Sequence, residues 1–468
     1  MGEFRLIPAA VQAPLDPGFR PAALANRSFA EGLGESGTPL VIGLQRSGGQ
    51  FSRYELSVLP DDHPEFEQNL PYVERIVKFL LWQRGGSVLH IGGSDRVAAH
   101  MADVYSAGGP RSFDYRFMGE QVYEREFRVV ACPIEEVRES RESGRSLGRH
   151  LNGNRIGFDL GASDRKVSAV VEGLPVFSEE IPWQPRAQSD PEYHYREIMA
   201  ALKAAASRLP RVDAIGGSSA GIYIDNRPMV ASLFRGVPAE RYGEIRELFL
   251  RIRAELGVPL EVINDGDVTA LAGSMSIEDN GILGIAMGSS EAAGYVDLNG
   301  HILGWLNELA FAPIDYSPEA PVEEWSGDRG CGASYLSQQC VFRLAPRAGI
   351  EIPDGLLDVD RLEFVRHKLE AGHAGARSIW ETLGVYLGYA LAHYADFYDI
   401  KHVLVLGRCT SGAGGPILLE RADDVLRREF PGLAEKIMLH LPDEKVRRIG
   451  QSVAAASLPA LDEMDGNA

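Results

Sequence analysis

The chain has 468 residues, 45% hydrophobic and 24% charged, which excludes a mainly disordered protein and leaves room for two or three domains. The formal net charge of −19 argues against a nucleic-acid polyanion as the main partner. It does not exclude a nucleotide, whose phosphates can be held by backbone N–H groups and one or two cations. Glycine, at 51 residues, exceeds the roughly 33 expected from average usage, so the question is whether it marks scattered loops or ligand-holding turns. No apolar run is long enough to span a bilayer, and the acidic, proline-containing N-terminus does not read as a secretory signal. The four cysteines form no C-x-x-C pair, so a cytoplasmic protein without a disulfide framework is expected.

In chain order, the first 35 or so residues, rich in Pro, Ala and Gly, read as an arm on the surface. PLVIGLQRSGGQFSRYELSVL (39–59) predicts a hairpin turning at Gly48-Gly49. YVERIVKFLLW (72–82) has helical spacing, SVLHIGG (87–93) reads as a buried strand, DRVAAHMADVYS as a helix and FRVVACPI as a further strand. The polar run 135–150 is the linker candidate, placing a boundary near 150; the charge balance is −3 before it and −16 after. Beyond it the pattern becomes strand, glycine turn, helix. RIGFDLGASDRKVSAVVEG (155–173) predicts strand, turn, strand, and YREIMAALKAAASRL (195–209) a helix of high propensity. VDAIGGSSAGIYI is a strand broken by glycines, YGEIRELFLRIRAELG a helix, and PLEVINDGDVTALAGSM a strand entering a helix. ILGIAMGSSEAAGYVDLNGHILG (282–304) repeats the theme of 155–173, suggesting a duplicated α/β unit. A long helical stretch follows from His367, and KHVLVLGRCTSGAGGPILLERADDVL is strand, glycine turn and helix.

Three constellations could carry chemistry. In Asp159-Leu160-Gly161-Ala162-Ser163-Asp164-Arg165-Lys166 a strand ends in an acid, followed by bare N–H and hydroxyl donors and a cation. That set suits a polyphosphate with a divalent ion, and equally an ordinary hairpin with a polar turn. Asn264-Asp265-Gly266-Asp267 sits at a strand end before a helix, where a carboxylate is favoured by the helix N-terminus; it reads either as a cap or as a proton acceptor. Gly288-Ser289-Ser290 and Gly407 with Ser411-Gly412-Ala413-Gly414-Gly415 are glycine turns after apolar strands, open to close backbone approach by a ligand. His90, His194 and His301 read as structural, the tryptophans (Trp305 and Trp325 among them) as packing, and Cys331 and Cys340 as buried thiols.

The order of these motifs resembles the sugar-kinase, Hsp70 and actin superfamily, and within it the ROK family (repressors, open reading frames, sugar kinases), from about residue 155 onward. FDLGASDRK resembles the family's D-x-G-G-T-K phosphate motif, EVINDGDVTALAG its E-N-D-A-N-A-A-A-L motif, GWLNELAF (304–311) its G-x-x-G-E-I-G-H, and GDRGCGASYLS (327–337) its G-N-R-G-C-L-E-x-Y. The resemblance implies an α/β fold of two ribonuclease-H-like (actin-like ATPase) lobes closing on ATP, with an additional N-terminal α/β domain. The implied division is 1–150, 151–285 and 286–468, with the C-terminal helix returning to the first lobe. It implies ATP and Mg²⁺ as cofactors and transfer of a phosphoryl group to a hydroxyl of a sugar or polyol. Asp265 is the counterpart of the catalytic base, with Asn264 and Glu308 orienting the acceptor near Ser232. Asp159 holds Mg²⁺ through water; Gly161, Ser163, Lys166, Ser289 and Ser290 lie near the phosphates, and Gly407, Gly412, Gly414 and Gly415 under adenosine.

The departures are specific. The family's motif His is Phe311, two of its three zinc cysteines fall on Glu324 and Ser326, leaving Cys331, and a sugar-binding Glu falls on Ala333. The substrate-region Asn is replaced near Ser232, in ASLFRG. One cysteine cannot assemble four N/S ligands, so no zinc site is expected. Glu291 in the second phosphate turn would repel ATP unless it points away or meets a metal. Those changes keep open a competing expectation, a ROK-like sensor of a sugar or phosphosugar without turnover. A third class is another phosphotransfer or hydrolysis on the same fold. The N-terminal 150 residues match nothing in the family and are expected to cover the cleft or make an oligomer contact. No nucleic-acid or membrane partner is expected.

Overall fold

Residues 4–142, 147–441 and 444–461 are described in the computed structural model, and residues 143–146 of the linker candidate lie outside them. The chain opens with α1 (Ala22–Leu33), the hairpin β1 (Thr38–Gln45) and β2 (Phe51–Val58), α2 (Asn69–Arg84), β3 (Val88–Gly92), α3 (Asp95–Val104), α4 (Ser112–Arg116) and β4 (Arg128–Cys132). Then follow β5 (Asn154–Leu160), β6 (Asp164–Val171), β7 (Leu174–Pro182), α5 (Pro191–Ala206), β8 (Ala214–Ser219), β9 (Ile222–Ile224), β10 (Arg227–Val230), α6 (Tyr242–Arg246), α7 (Leu248–Leu256), β11 (Leu260–Asn264) and α8 (Asp265–Ile277). The last third holds β12 (Ile282–Met287), β13 (Glu291–Val296), α9 (Gln338–Leu344), α10 (Asp358–Glu370), α11 (Ala374–Tyr394), β14 (His402–Leu406), α12 (Gly414–Glu429), α13 (Pro431–Ala434), β15 (Met438–His440) and α14 (Glu444–Ala456). Two expected helices are broken. The 242–257 pattern divides into α6 and α7 at Glu247, and the stretch from His367 divides where Gly372 takes a left-handed φ of 79°.

These elements form two compact units, which differ from the expected consecutive division at 150 and 285. The described residues up to 142 belong with 285–293 and 305–441, and residues 147–284 with 294–304 and 444–461.

In the first unit, β1 pairs antiparallel with β2 and β3, and β3 parallel with β4, giving the order β2-β1-β3-β4. A second sheet runs β13-β12-β14-β15, with β14 and β15 parallel. Helix α11 is buried along most of its length, including Trp380, Tyr386, Tyr389 and Tyr394. The N-terminal arm covers it rather than lying on the surface. The Val11 N–H donates to the Tyr389 hydroxyl at 3.1 Å, and the Phe19 ring packs edge-on to Tyr386 at 4.8 Å. A buried ionic cluster joins the N-terminal helices to the 323–331 segment. Asp328 meets Arg75 at 2.7 Å, Arg111 at 2.6 Å and Lys78 at 3.5 Å, while Asp114 accepts from Lys78 at 3.1 Å and from the Trp82 indole at 2.7 Å. Three cations around it hold the Asp328 carboxyl well below the usual carboxylate range against the opposing effect of burial.

The second unit is a five-stranded sheet, β11-β8-β5-β6-β7, in which β5, β8 and β11 are parallel and β5, β6 and β7 an antiparallel meander. Its core stacks Phe158, Val167, Ile198, Leu202, Leu233 and Phe249 between sheet and helices. Helix α14 crosses β5 and β8 at Gly157 and Gly216, where any Cβ would overlap the carbonyls of Ser452 and Ala455. Two side-chain-free positions on adjacent strands therefore seat the C-terminal helix.

Candidate functional site

In the second unit the parallel strands β5, β8 and β11 all end on the same edge, the usual ligand side of parallel α/β sheets. The register sets Asp159 beside Ser218 and Ser219 beside Asn264. The Ser218 hydroxyl donates to Asp159 Oδ1 at 2.7 Å. Asn264 caps α8, its Oδ1 accepting from the Gly266 N–H at 2.7 Å while its Nδ2 donates to the Gly221 carbonyl at 2.8 Å. Capping is thus done by Asn264, while the carboxylate of Asp265, the first helical residue, accepts from the Gly266 N–H at 3.1 Å and from its own backbone N–H. The two sequence alternatives fall on adjacent residues. Burial, then the negative charge of Asp159, push the Asp265 carboxyl up to about 6. Burial likewise raises Asp159, opposed by Ser218 and by Lys166, its cross-strand neighbour.

The turn after β5 is tightly organised. The Gly161 N–H donates to the Asp164 carbonyl at 2.9 Å, the Ser163 hydroxyl to Asp164 Oδ2 at 3.0 Å, and Lys166 Nζ lies 3.4 Å from Asp164 Oδ1. The Trp183 indole donates to the Gly161 carbonyl at 2.8 Å and forms a wall of a cavity of about 480 Å³ with Ser163, Gln184 and Arg186. Ser232 accepts from Arg186 at 3.4 Å. The structure brings Asp159, Asn264 and Asp265 together, with Gly161 and Ser163 in the adjoining turn and Lys166 on β6 beside Asp159. Ser218, Ser219 and Arg186 were not anticipated. The only sequence signal for the serines was their place at a strand end in GGSSAG, and Arg186 carried none.

In the first unit Ser289 and Ser290 are exposed in the turn between β12 and β13. Glu291 points away from that turn into the core. It accepts from the Tyr394 hydroxyl at 3.1 Å, its second oxygen lies against Gly332, and burial pushes its carboxyl up to about 8. Glu308 follows Asn307, which takes a left-handed φ of 51°; their N–H groups donate to the Trp82 and Gln83 carbonyls at 2.9 Å. The N-terminal helix α2 therefore positions the Glu308 segment. Phe311 stacks on Trp82 at 4.2 Å. Gly407 ends β14 and Gly412 lies in the turn before α12. Gly414 and Gly415 begin α12, and a Cβ on Gly414 would overlap the Trp380 indole, whose N–H donates to the Cys409 carbonyl at 2.8 Å.

Cys331 is buried with its thiol pushed up to about 12, and Cys340 is also buried. Among the described residues no group of three or more His, Cys, Asp or Glu is arranged to hold a metal ion, and no helix is long and apolar enough to cross a membrane. His194 is buried among the rings of Trp183, Tyr193 and Phe234, a packing role. Trp305 donates to Glu142 at 2.9 Å, whereas Trp325, expected to pack, is 64% exposed.

No protein-family model and no curated protein matches the chain. Among solved structures its fold is that of ROK-family proteins, the sugar kinases and regulators. A ROK hexokinase from Thermus thermophilus is 20% identical with a TM-score of 0.52, over 65% of this chain and 97% of that one. A ROK family transcriptional regulator, a homologue of the E. coli MLC protein, is 20% identical with a TM-score of 0.51, over 66% of this chain and 78% of that one.

Proposed function

We propose that the protein transfers the terminal phosphoryl group of ATP to a hydroxyl of a sugar or polyol, with two ribonuclease-H-like lobes carrying the site and Asp265 as general base. The observation that carries this reading is the pair of carboxyls at the β5 and β11 ends, Asp265 freed from capping duty by Asn264 and raised to about 6. A base with that pKa is ionised at neutral pH yet basic enough to take a hydroxyl proton as the oxygen attacks. Asn264 fixes the helix start and so the base. Glu308 would hydrogen-bond an acceptor hydroxyl, Ser232 would lie beside the acceptor, and Ser289, Ser290 and the Gly407–Gly415 turn would meet the nucleotide, roles that follow the motif order.

The donor set at Asp159 and Asp265 fits Mg²⁺. The negative charge of Asp159 raises the Asp265 carboxyl, a repulsion that a cation would relieve, and Mg²⁺ keeps several waters and needs few protein ligands. When bound with ATP it would neutralise charge developing on the phosphates. Asp159, oriented by Ser218, would hold its hydration shell, while Lys166 adds a positive charge. The burial of Glu291 removes the expected repulsion at the second phosphate turn. The test is an ADP-release assay over a panel of sugars and polyols. Transfer is expected with one of them, and Asp265→Asn should reduce it by several orders of magnitude.

A second reading, a non-catalytic sensor of a sugar or phosphosugar, is favoured by Phe311, locked in an aromatic stack where the family carries a motif His. One of the structures sharing the fold is a transcriptional regulator. Calorimetric titration with ATP–Mg²⁺ separates the two, since a sensor would bind sugar and no nucleotide.

A further inference from the structure

Trp325 departs from the pattern of the other tryptophans. Of the five in the chain, Trp82, Trp183 and Trp380 are buried and Trp305 is half-buried, whereas Trp325 leaves 64% of its surface in water. Tryptophan is highly buried on average, and an indole left this open gives up apolar burial that would stabilise the fold. The loop that carries it is not loose. Glu323, itself buried, accepts from the Trp325 N–H at 3.0 Å and from the Ser326 N–H and hydroxyl at 2.6 and 2.7 Å, and its carbonyl accepts from the Gly327 N–H at 2.9 Å. Val322 forms a β-bridge with Arg329, and Asp328 is fixed by Arg75, Lys78 and Arg111. The backbone is thus held on both sides of the indole while the ring stays open. Half-buried Tyr195 carries Arg251 over its face at 3.6 Å, but among the described residues Trp325 has a single ring contact, with Phe311 at 6.3 Å and a tilt of 39°.

Phe311 joins the indole to the candidate acceptor site in the same unit. It is half-buried and ends the short turn that Glu308 begins, its N–H donating to the Glu308 carbonyl at 3.1 Å. Its ring is braced from behind by Trp82 at 4.2 Å. A rigid open indole, a second ring and a turn begun by a carboxylate residue form a surface that suits a sugar ring. The C–H face of the sugar covers aromatic surface, while its edge hydroxyls find polar partners. A pyranose presents that flat face with few rotors to freeze; an open-chain polyol has no such face and must give up the freedom of its chain.

We infer that Trp325 is a stacking platform for a pyranose ring, which makes the ligand a cyclic sugar and excludes open-chain polyols. This rests on the reading above that Glu308 meets the acceptor, and it narrows the substrate class from sugars or polyols to pyranoses.

The test is calorimetric titration of the full chain, without nucleotide, with matched probes: glucose and glucitol, mannose and mannitol, galactose and galactitol. At least one pyranose is expected to bind about tenfold or more tightly than its alditol. Because the Trp325 side chain is exposed, Trp325→Ala should keep the fold, checked by an unchanged Tm, and remove that preference. Trp325→Phe should recover most of the affinity. Leu357→Ala, which truncates a still more exposed apolar side chain of the same unit, should leave it unchanged. Sugar binding should also move tryptophan emission to shorter wavelength in the native chain and not in Trp325→Phe. The inference is overturned if no pyranose binds at millimolar concentration, if alditols bind as tightly, or if the preference survives Trp325→Ala. Self-association that Trp325→Ala abolishes while sugar affinity is untouched would also overturn it, assigning the indole to contact between copies. ADP release measured on the same samples keeps the two readings apart. Trp325-dependent pyranose binding without turnover sinks only the kinase reading. Turnover of an alditol, undiminished in Trp325→Ala, sinks only the pyranose platform.

Discussion

At Asp265 the burial that raises the carboxyl to about 6 also makes its charge costly to the fold. Its ordinary pKa is 3.8, so between pH 4 and 6 the unfolded chain releases a proton that the folded one keeps, and stability falls as pH rises through that window. Asp265→Asn should therefore abolish transfer and raise Tm at pH 7; a lowered Tm would show that the carboxylate is structural. Transfer itself should lose about tenfold per pH unit below about 6 and level off by pH 7, read from the pH profile of kcat. Glu291 provides an independent check. Its carboxyl, raised from 4.5 to about 8 by burial, stays protonated when the unfolded chain ionises, so stability falls between pH 4.5 and 8 by up to about 1.4 kcal/mol per unit. Glu291→Gln should flatten that slope in urea melts taken across pH; an unchanged slope would place the titration elsewhere. The direction of Glu291 was partly legible. Strand alternation puts it on the same buried face as Ala293 and Tyr295, a signal stronger than its place in a phosphate-like turn.

The elements that gather the site are those whose pattern was clearest: β5 ending in Asp159, β11 running into α8 at Asn264-Asp265, and the β5–β6 turn. Apolar runs bounded by glycine and by capping residues gave them away. Less legible were the breaks at Glu247 and Gly372, where helical periodicity continues in the sequence although the backbone turns. Nor does local pattern reveal the seat of α14 on Gly157 and Gly216, because it depends on a helix far along the chain, at Ser452 and Ala455. Gly216→Ala places a methyl on the Ala455 carbonyl and should cost about 1–3 kcal/mol in denaturant melts, without altering the far β1–β4 sheet. A neutral outcome would mean α14 is not held there.

On the scale of the molecule, the N-terminal third has its own sheet yet shares a compact unit with residues 305–441. Composition hinted at a separate domain because the connecting forces are long-range: the arm on α11, α2 beneath Asn307 and Glu308, and the Asp328 cluster. That cluster occupies the segment where the resemblance sets the family's zinc cysteines, and it ties the segment to α2 by charge. Asp328→Ala would leave Arg75, Lys78 and Arg111 without their shared anion and should cost about 3–5 kcal/mol. Because the folded pKa of Asp328 is depressed below 3.8, its contribution is present above about pH 4 and lost as pH falls further, which an acid titration of Tm reads directly. The central claim, phosphoryl transfer with Asp265 as base, is met most directly by ADP release from ATP–Mg²⁺ across sugars and polyols, run on the native chain and on Asp265→Asn of matched folded content. Sugar-dependent ADP release that vanishes in the variant is the predicted result. Release that the variant retains, or its absence with every sugar, would contradict it.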